Sequence, residues 1–155
     1  MTIEQINTLG LLSGLVATCG GSHYGYTAAV ADLRDPKLKP LFIALGEQRA
    51  SFMRDLQELG ERFGGVEEEA AELEATSGKW KPVHAAVAEG DPQQILQEFI
   101  HRENAAVETY SRALHEEKVM PDAIELARRQ REAIVQAREQ LRKLRDVKGD
   151  VQRRE

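Results

Sequence analysis

One face of the first thirty-odd residues constrains this chain more than any other feature. Leu9, Leu12, Val16, Cys19, His23, Tyr26, Val30 and Leu33 follow one another at alternating steps of three and four. That spacing is the stripe of a single long helix. The stripe keeps its phase across Gly20, Gly21 and Gly25, each of which costs a helix roughly 1 kcal/mol relative to alanine. A phosphate-cradling loop would need a strand before it and a helix after it, and no strand pattern precedes Cys19. A helix broken at Ser22, or a π-bulge, would shift the phase. The reading favoured is that these glycines remove side chains so that a neighbouring helix or a long side chain comes close.

Helix signals recur along the chain, whereas strand runs and hairpin turns are nearly absent. Thr2 and Gln5 form a capping-box start for a first helix over 3–34. Asp35-Pro36 ends it and opens a second over 36–63, with the stripe Leu38, Phe42, Leu45, Arg49, Phe52, Leu56, Leu59 and Phe63 and a stop at Gly64-Gly65. Residues 64–90 are expected to form a crossover, with an acidic run from Glu67 to Glu74 and one short helix over 79–88 covering an end of the fold. Asp91-Pro92, with Gln94 in the capping-box place, opens a third helix over 92–117, and Pro121 a fourth over 121–147. Two antiparallel helical hairpins joined by one long connection predict an all-α four-helix bundle, one domain over 1–147 followed by a charged tail at 148–155.

A formal charge of -5, from 21 basic against 26 acidic residues, argues against a general nucleic-acid or anionic-membrane binder. Arg142, Lys143, Arg145, Lys148, Arg153 and Arg154 crowd near the C-terminus, but acidic residues are mixed in, and a solvated helix end is the expectation. One cysteine, no charged-then-apolar leader pattern and no apolar run near ~20 residues predict a soluble cytoplasmic protein that spans no membrane.

The stripes carry polar residues where a plain core would not. His23 lies on the first, Arg49 on the second and Glu103 on the third, and Arg131 and Arg138 flank the fourth. An unpaired buried charge costs several kcal/mol, so these groups must pair, reach water or bind something. The expectation is a buried polar layer or ligand pocket of His23, Arg49 and Glu103, with Tyr26, Tyr110 and Glu47 as neighbours. Cys19 is expected to be a buried, inert thiol.

Cys19 to Tyr26, Asp35-Pro36 with Leu41-Phe42, Glu47 to Phe52, Trp80, and Glu103 to Tyr110 follow one another in order. Together they resemble an uncharacterised bacterial family of ferritin-like four-helix-bundle proteins, a domain-of-unknown-function group. The resemblance implies the ferritin-like bundle and a bacterial origin, and no established activity. The wider superfamily binds two metals through one Glu from each of two helices and Glu-x-x-His from the other two. Here His23 stands where a carboxylate is expected, Glu47 has Ala50 as its third residue on, and Glu132 and Glu139 are followed by Val135 and Arg142. Two functions therefore remain. The first is a non-enzymatic, stress- or interaction-related bundle without a cofactor, its metal centre degenerate. The alternative is an iron or manganese protein ligated by His23, Glu47 and Glu103. Leu11 and Leu15 widen the first apolar face beyond one seam, so either the Trp80 segment or a second copy covers them, and a homodimer is expected.

Overall fold

In a computed structural model, residues 1–67 and 69–154 are described, the side chains from 148 onward excepted. Six helices account for them: α1 (Ile3–Asp32), α2 (Leu38–Glu61), α3 (Glu69–Ala75), α4 (Lys81–Glu89), α5 (Pro92–Ala113) and α6 (Pro121–Arg154), with a 3-10 turn at Gly78–Trp80 before α4. No strand occurs among the described residues, and none of their helices is long and apolar enough to cross a membrane.

α1 begins with the expected reciprocal cap: Gln5 N donates to Thr2 Oγ1 at 3.2 Å, and Thr2 N to Gln5 Oε1 at 3.0 Å. It then runs unbroken through its glycines. α2 starts two residues later than the Asp-Pro signal suggests. Asp35 Oδ1 does accept from Lys37 N at 2.8 Å. However, Pro40 has no N–H to give the Pro36 carbonyl, so the regular ladder is delayed to Leu38. α2 ends at Glu61, two residues short of 63, and Gly64 and Gly65 beyond it take positive φ (105° and 93°). α5 is capped by Asp91, whose Oδ1 accepts from Gln93 N at 3.0 Å. Gln94 bonds Glu98 instead of closing a capping box. α5 also stops at Ala113, short of 117, whereas α6 continues past 147 to Arg154.

The long helices pair by sequence order. Tyr26 packs on Phe42, with ring centroids 5.2 Å apart, while nearer the connection Leu33 and Leu38 share a cluster, so α1 and α2 are antiparallel. Gln97, Asn104 and Ser111 accept in turn from Arg145, Arg138 and Arg131, which makes α5 and α6 antiparallel. Cys19 meets Tyr110 between α1 and α5, and Gln130 meets Phe52 between α6 and α2. Of the C-terminal basic residues, Arg142 pairs with Glu139 and Arg145 with Asp146. The side chains of Lys148, Arg153 and Arg154, and Glu155 itself, lie outside the described residues.

The crossover differs from expectation in having two α-helices and a 3-10 turn. Part of the acidic run becomes α3, laid along α1. Val83, Ala86 and Val87 of α4 join Leu33, Leu38, Ile95 and Leu141 at one end of the core. Gly20, Gly21 and Gly25 of α1 are where the crossover lands. A Cβ on Gly20 would lie 2.8 Å from the Ala71 backbone, and one on Gly25 would lie 2.8 Å from Trp80 ring carbons. Neither approach tolerates a side chain, which is why α1 accepts poor helix formers in its middle.

Candidate functional site

Two apolar clusters fill the interior. The first is built around Tyr26, Phe42, Trp80 and Phe99, the second around Leu12, Val16, Leu56 and Ile134. Buried polar groups gather where they adjoin. Arg49 of α2 and Glu103 of α5 form a two-pronged ion pair: Arg49 Nη1 donates to Glu103 Oε1 at 2.7 Å and Nη2 to Oε2. Their side chains are 0% and 1% exposed. Arg49 Nε donates to Gln48 Oε1 at 3.2 Å, and the guanidinium lies 6.0 Å from the Tyr26 ring centroid. Burial alone would lower the Arg49 pKa, but the Glu103 carboxylate more than offsets it, so arginine's pKa rises above its ordinary value.

Beside the pair runs a chain of neutral groups. Cys19 Sγ and Tyr110 Oη are 3.0 Å apart, Tyr110 Oη donates to Gln130 Oε1 at 2.6 Å, and Gln130 Nε2 donates to the Phe52 carbonyl at 3.2 Å. The hydroxyl of Tyr26 has no hydrogen-bond partner of good geometry, although the Glu103 carboxylate acts on it. Burial first, and that carboxylate second, hold the Tyr26 phenol well above its ordinary range. Burial, then Cys19, do the same for Tyr110.

Burial pushes the Cys19 thiol from its ordinary 9.0 up to about 11. A raised folded-state pKa means that the neutral thiol stabilises the fold fully below 9.0, and that this contribution is lost as pH rises towards about 11. Two results are expected: no reaction of native protein with a disulfide reagent at pH near 8 until unfolding exposes Cys19, and a gentler alkaline loss of stability in Cys19→Ala. Rapid labelling of the folded chain would contradict this.

Sequence and structure part company over His23 and Glu47. His23 is half-buried, and its Nδ1 lies 2.9 Å from the Gly46 carbonyl. α1 and α2 come together at Gly46, where a Cβ would lie 3.4 Å from Tyr26 Cβ, and the imidazole is engaged at that contact. A neutral ring then carries its proton on Nδ1. Glu47 is exposed on α2. The anticipated layer of His23, Arg49 and Glu103 is thus corrected: the described structure has no hydrogen bond from His23 to either partner. The set His23, Glu47 and Glu103 does not converge, and no three His, Cys, Asp or Glu residues among those described could hold a metal ion. Tyr26 and Tyr110, by contrast, do flank the pair.

Gln130 went unremarked in the sequence. Its place three residues after Ala127 and four before Ile134 on the α6 stripe was the available signal. Leu15 is 1% exposed and Leu11 half-buried, so α1's extra apolar width is only partly covered within one chain.

Chemically, the centre offers charge neutralisation and a fixed hydrogen-bond pattern. A di-metal centre needs several converging carboxylates. Glu103 is the one buried carboxylate among the described residues, and the Arg49 guanidinium covers both of its oxygens. The donor set does not fit such a centre. None of the curated proteins matches the sequence. Residues 7–116, from α1 through α5, match a family described as Domain of unknown function (DUF2383), and the chain belongs to that family.

Proposed function

We propose that this protein is a non-enzymatic, ferritin-like four-helix bundle, with a stress- or interaction-related role, in which a buried ion pair stands where ferritin-like relatives keep two metals. Two features support the ferritin-like reading: the antiparallel pairs α1/α2 and α5/α6, and the single long crossover between them. The observation that carries the functional reading is the two-pronged Arg49–Glu103 contact at full burial. A fixed guanidinium on Glu103, the sole buried carboxylate among the described residues, opposes a cation electrostatically and occupies its ligand. Iron or manganese handling through His23, Glu47 and Glu103 is the lesser reading, because His23 is engaged with Gly46 and Glu47 faces solvent.

Metal analysis of protein purified without chelator separates the two. Iron and manganese far below one per chain are expected. Near-stoichiometric metal, lost in Glu47→Ala or Glu103→Ala, would overturn the proposal.

The same reading includes a homodimer formed through the N-terminal half of α1. Ile3 and Ile6 are 67% and 55% exposed there. Ile6, Gly10, Leu11, Gly14 and Leu15 line a groove of about 430 Å³ against α5. Sedimentation at micromolar concentration is expected to give twice the chain mass, and Ile6→Lys to give a monomer. A monomeric mass for the unmodified chain would count against it.

A further inference from the structure

A second polar feature lies outside the Arg49–Glu103 centre. Trp80, the chain's one tryptophan, is 3% exposed, and its indole Nε1 is buried without a hydrogen-bond partner. A buried donor left without an acceptor is unfavourable, and native structures rarely keep one. The nitrogen lies against Gly21 of α1, where a Cβ would come within 3.1 Å of it and 2.8 Å of Glu74 Cγ, so only glycine leaves room there for the indole and that side chain. Next along the helix is Ser22, 2% exposed, whose hydroxyl makes no hydrogen bond among the described residues.

Both Trp80 and Ser22 line a cleft of about 270 Å³ between α1, α5 and the crossover. Arg102 lines it too, with its guanidinium carbon 5.7 Å from the Trp80 ring centroid and no carboxylate partner among the described residues. The other charges at this cleft cancel in pairs: Lys79 with Glu74 at 3.3 Å, and Arg112 with Glu108 at 3.0 Å. What remains is one unpaired planar cation, one unused indole N–H and one unused hydroxyl, beside an alanine wall from Ala17 and Ala106.

The geometry points to a binding site for a small organic monocarboxylate in this cleft. Arg102 supplies the forked charge-assisted contact, Trp80 Nε1 and Ser22 Oγ donate to the same carboxylate, and the alanines receive a short apolar tail. One unpaired positive charge matches a monoanion; a phosphate dianion leaves a charge unmatched. This site is independent of the ion-pair reading, because it shares no residue with it.

The lone indole N–H gives one isolated cross-peak in a proton–nitrogen correlation spectrum of the full chain, which reports this donor directly. Sodium butyrate is the probe, titrated at constant ionic strength with sodium chloride, and butyramide is the neutral control. A saturable shift of the indole peak with butyrate, absent with chloride and butyramide, is expected. Arg102→Gln, which keeps a long polar side chain, is expected to weaken binding by about tenfold or more. In Trp80→Phe the backbone peaks of Gly21 and Ser22 serve as reporters, and weaker saturable binding is expected. An indole peak that does not move, that moves equally with butyramide or chloride, or that responds unchanged in Arg102→Gln overturns the proposal; the first outcome would assign the N–H to water or to a rotated Glu74.

Discussion

Glu103→Ala is expected to destabilise the protein by about 3–5 kcal/mol, because it leaves the Arg49 guanidinium charged and unpaired at 0% exposure. Much of that loss is the desolvation of a stranded charge rather than the worth of the pair itself. A buried ion pair recovers by mutual attraction roughly what it cost to take both groups out of water. Replacing both partners with apolar residues of similar size, Arg49→Met with Glu103→Leu, is therefore expected to be far milder than either single change, and neutral or even stabilising. Urea unfolding of Glu103→Ala and of the four proteins in the Arg49→Met, Glu103→Leu cycle measures this. A single Glu103→Ala costing under about 1 kcal/mol would mean that the guanidinium finds water, and that the centre is less dry than its geometry implies.

The second large effect concerns the seat of the crossover on α1. Trp80→Ala is expected to cost about 3–5 kcal/mol, since it removes a buried ring that packs against Phe99 with centroids 6.2 Å apart. Gly25→Ala is expected to cost about 1–3 kcal/mol in the unmodified chain, because its methyl group meets the Trp80 ring. In Trp80→Ala the same methyl meets space. There alanine's better helix propensity, about 1 kcal/mol, is expected to make Gly25→Ala neutral or stabilising. The two substitutions are thus strongly coupled, and a double-mutant cycle reads the coupling. Additive costs would show that Gly25 serves something other than the ring.

These two results mark where sequence reasoning reached and where it stopped. A continuous stripe through Gly20, Gly21 and Gly25 was enough to infer close approach, because a broken helix would lose phase. It could not say what approaches: Ala71 and Trp80 lie some fifty residues downstream, and their docking depends on how the crossover folds. Arg49 and Glu103 were conspicuous as charges on apolar stripes. Their pairing was not legible, because the level of one helical hairpin against the other is a tertiary fact. His23 shows the same limit from the other side. Its place on the α1 stripe was plain, but a stripe position does not tell an imidazole that points to the centre from one that stops at a neighbouring carbonyl. α3 was obscured because its seven residues bury only Ala71, too little for any periodicity to register. Gln130 was passed over because a glutamine among arginines on α6 looks like surface until its neighbours at Ala127 and Ile134 are counted.

The proposed function puts an ion pair in the interior where a ferritin-like metal centre would otherwise be. Thermal unfolding tests it most directly, comparing protein treated with excess chelator against the same protein with added ferrous iron or manganese. A ligand that binds only the folded state raises its stability in proportion to the logarithm of its excess over Kd. Superimposable transitions are expected under all three conditions. A midpoint that falls with chelator and is restored by either metal would contradict it.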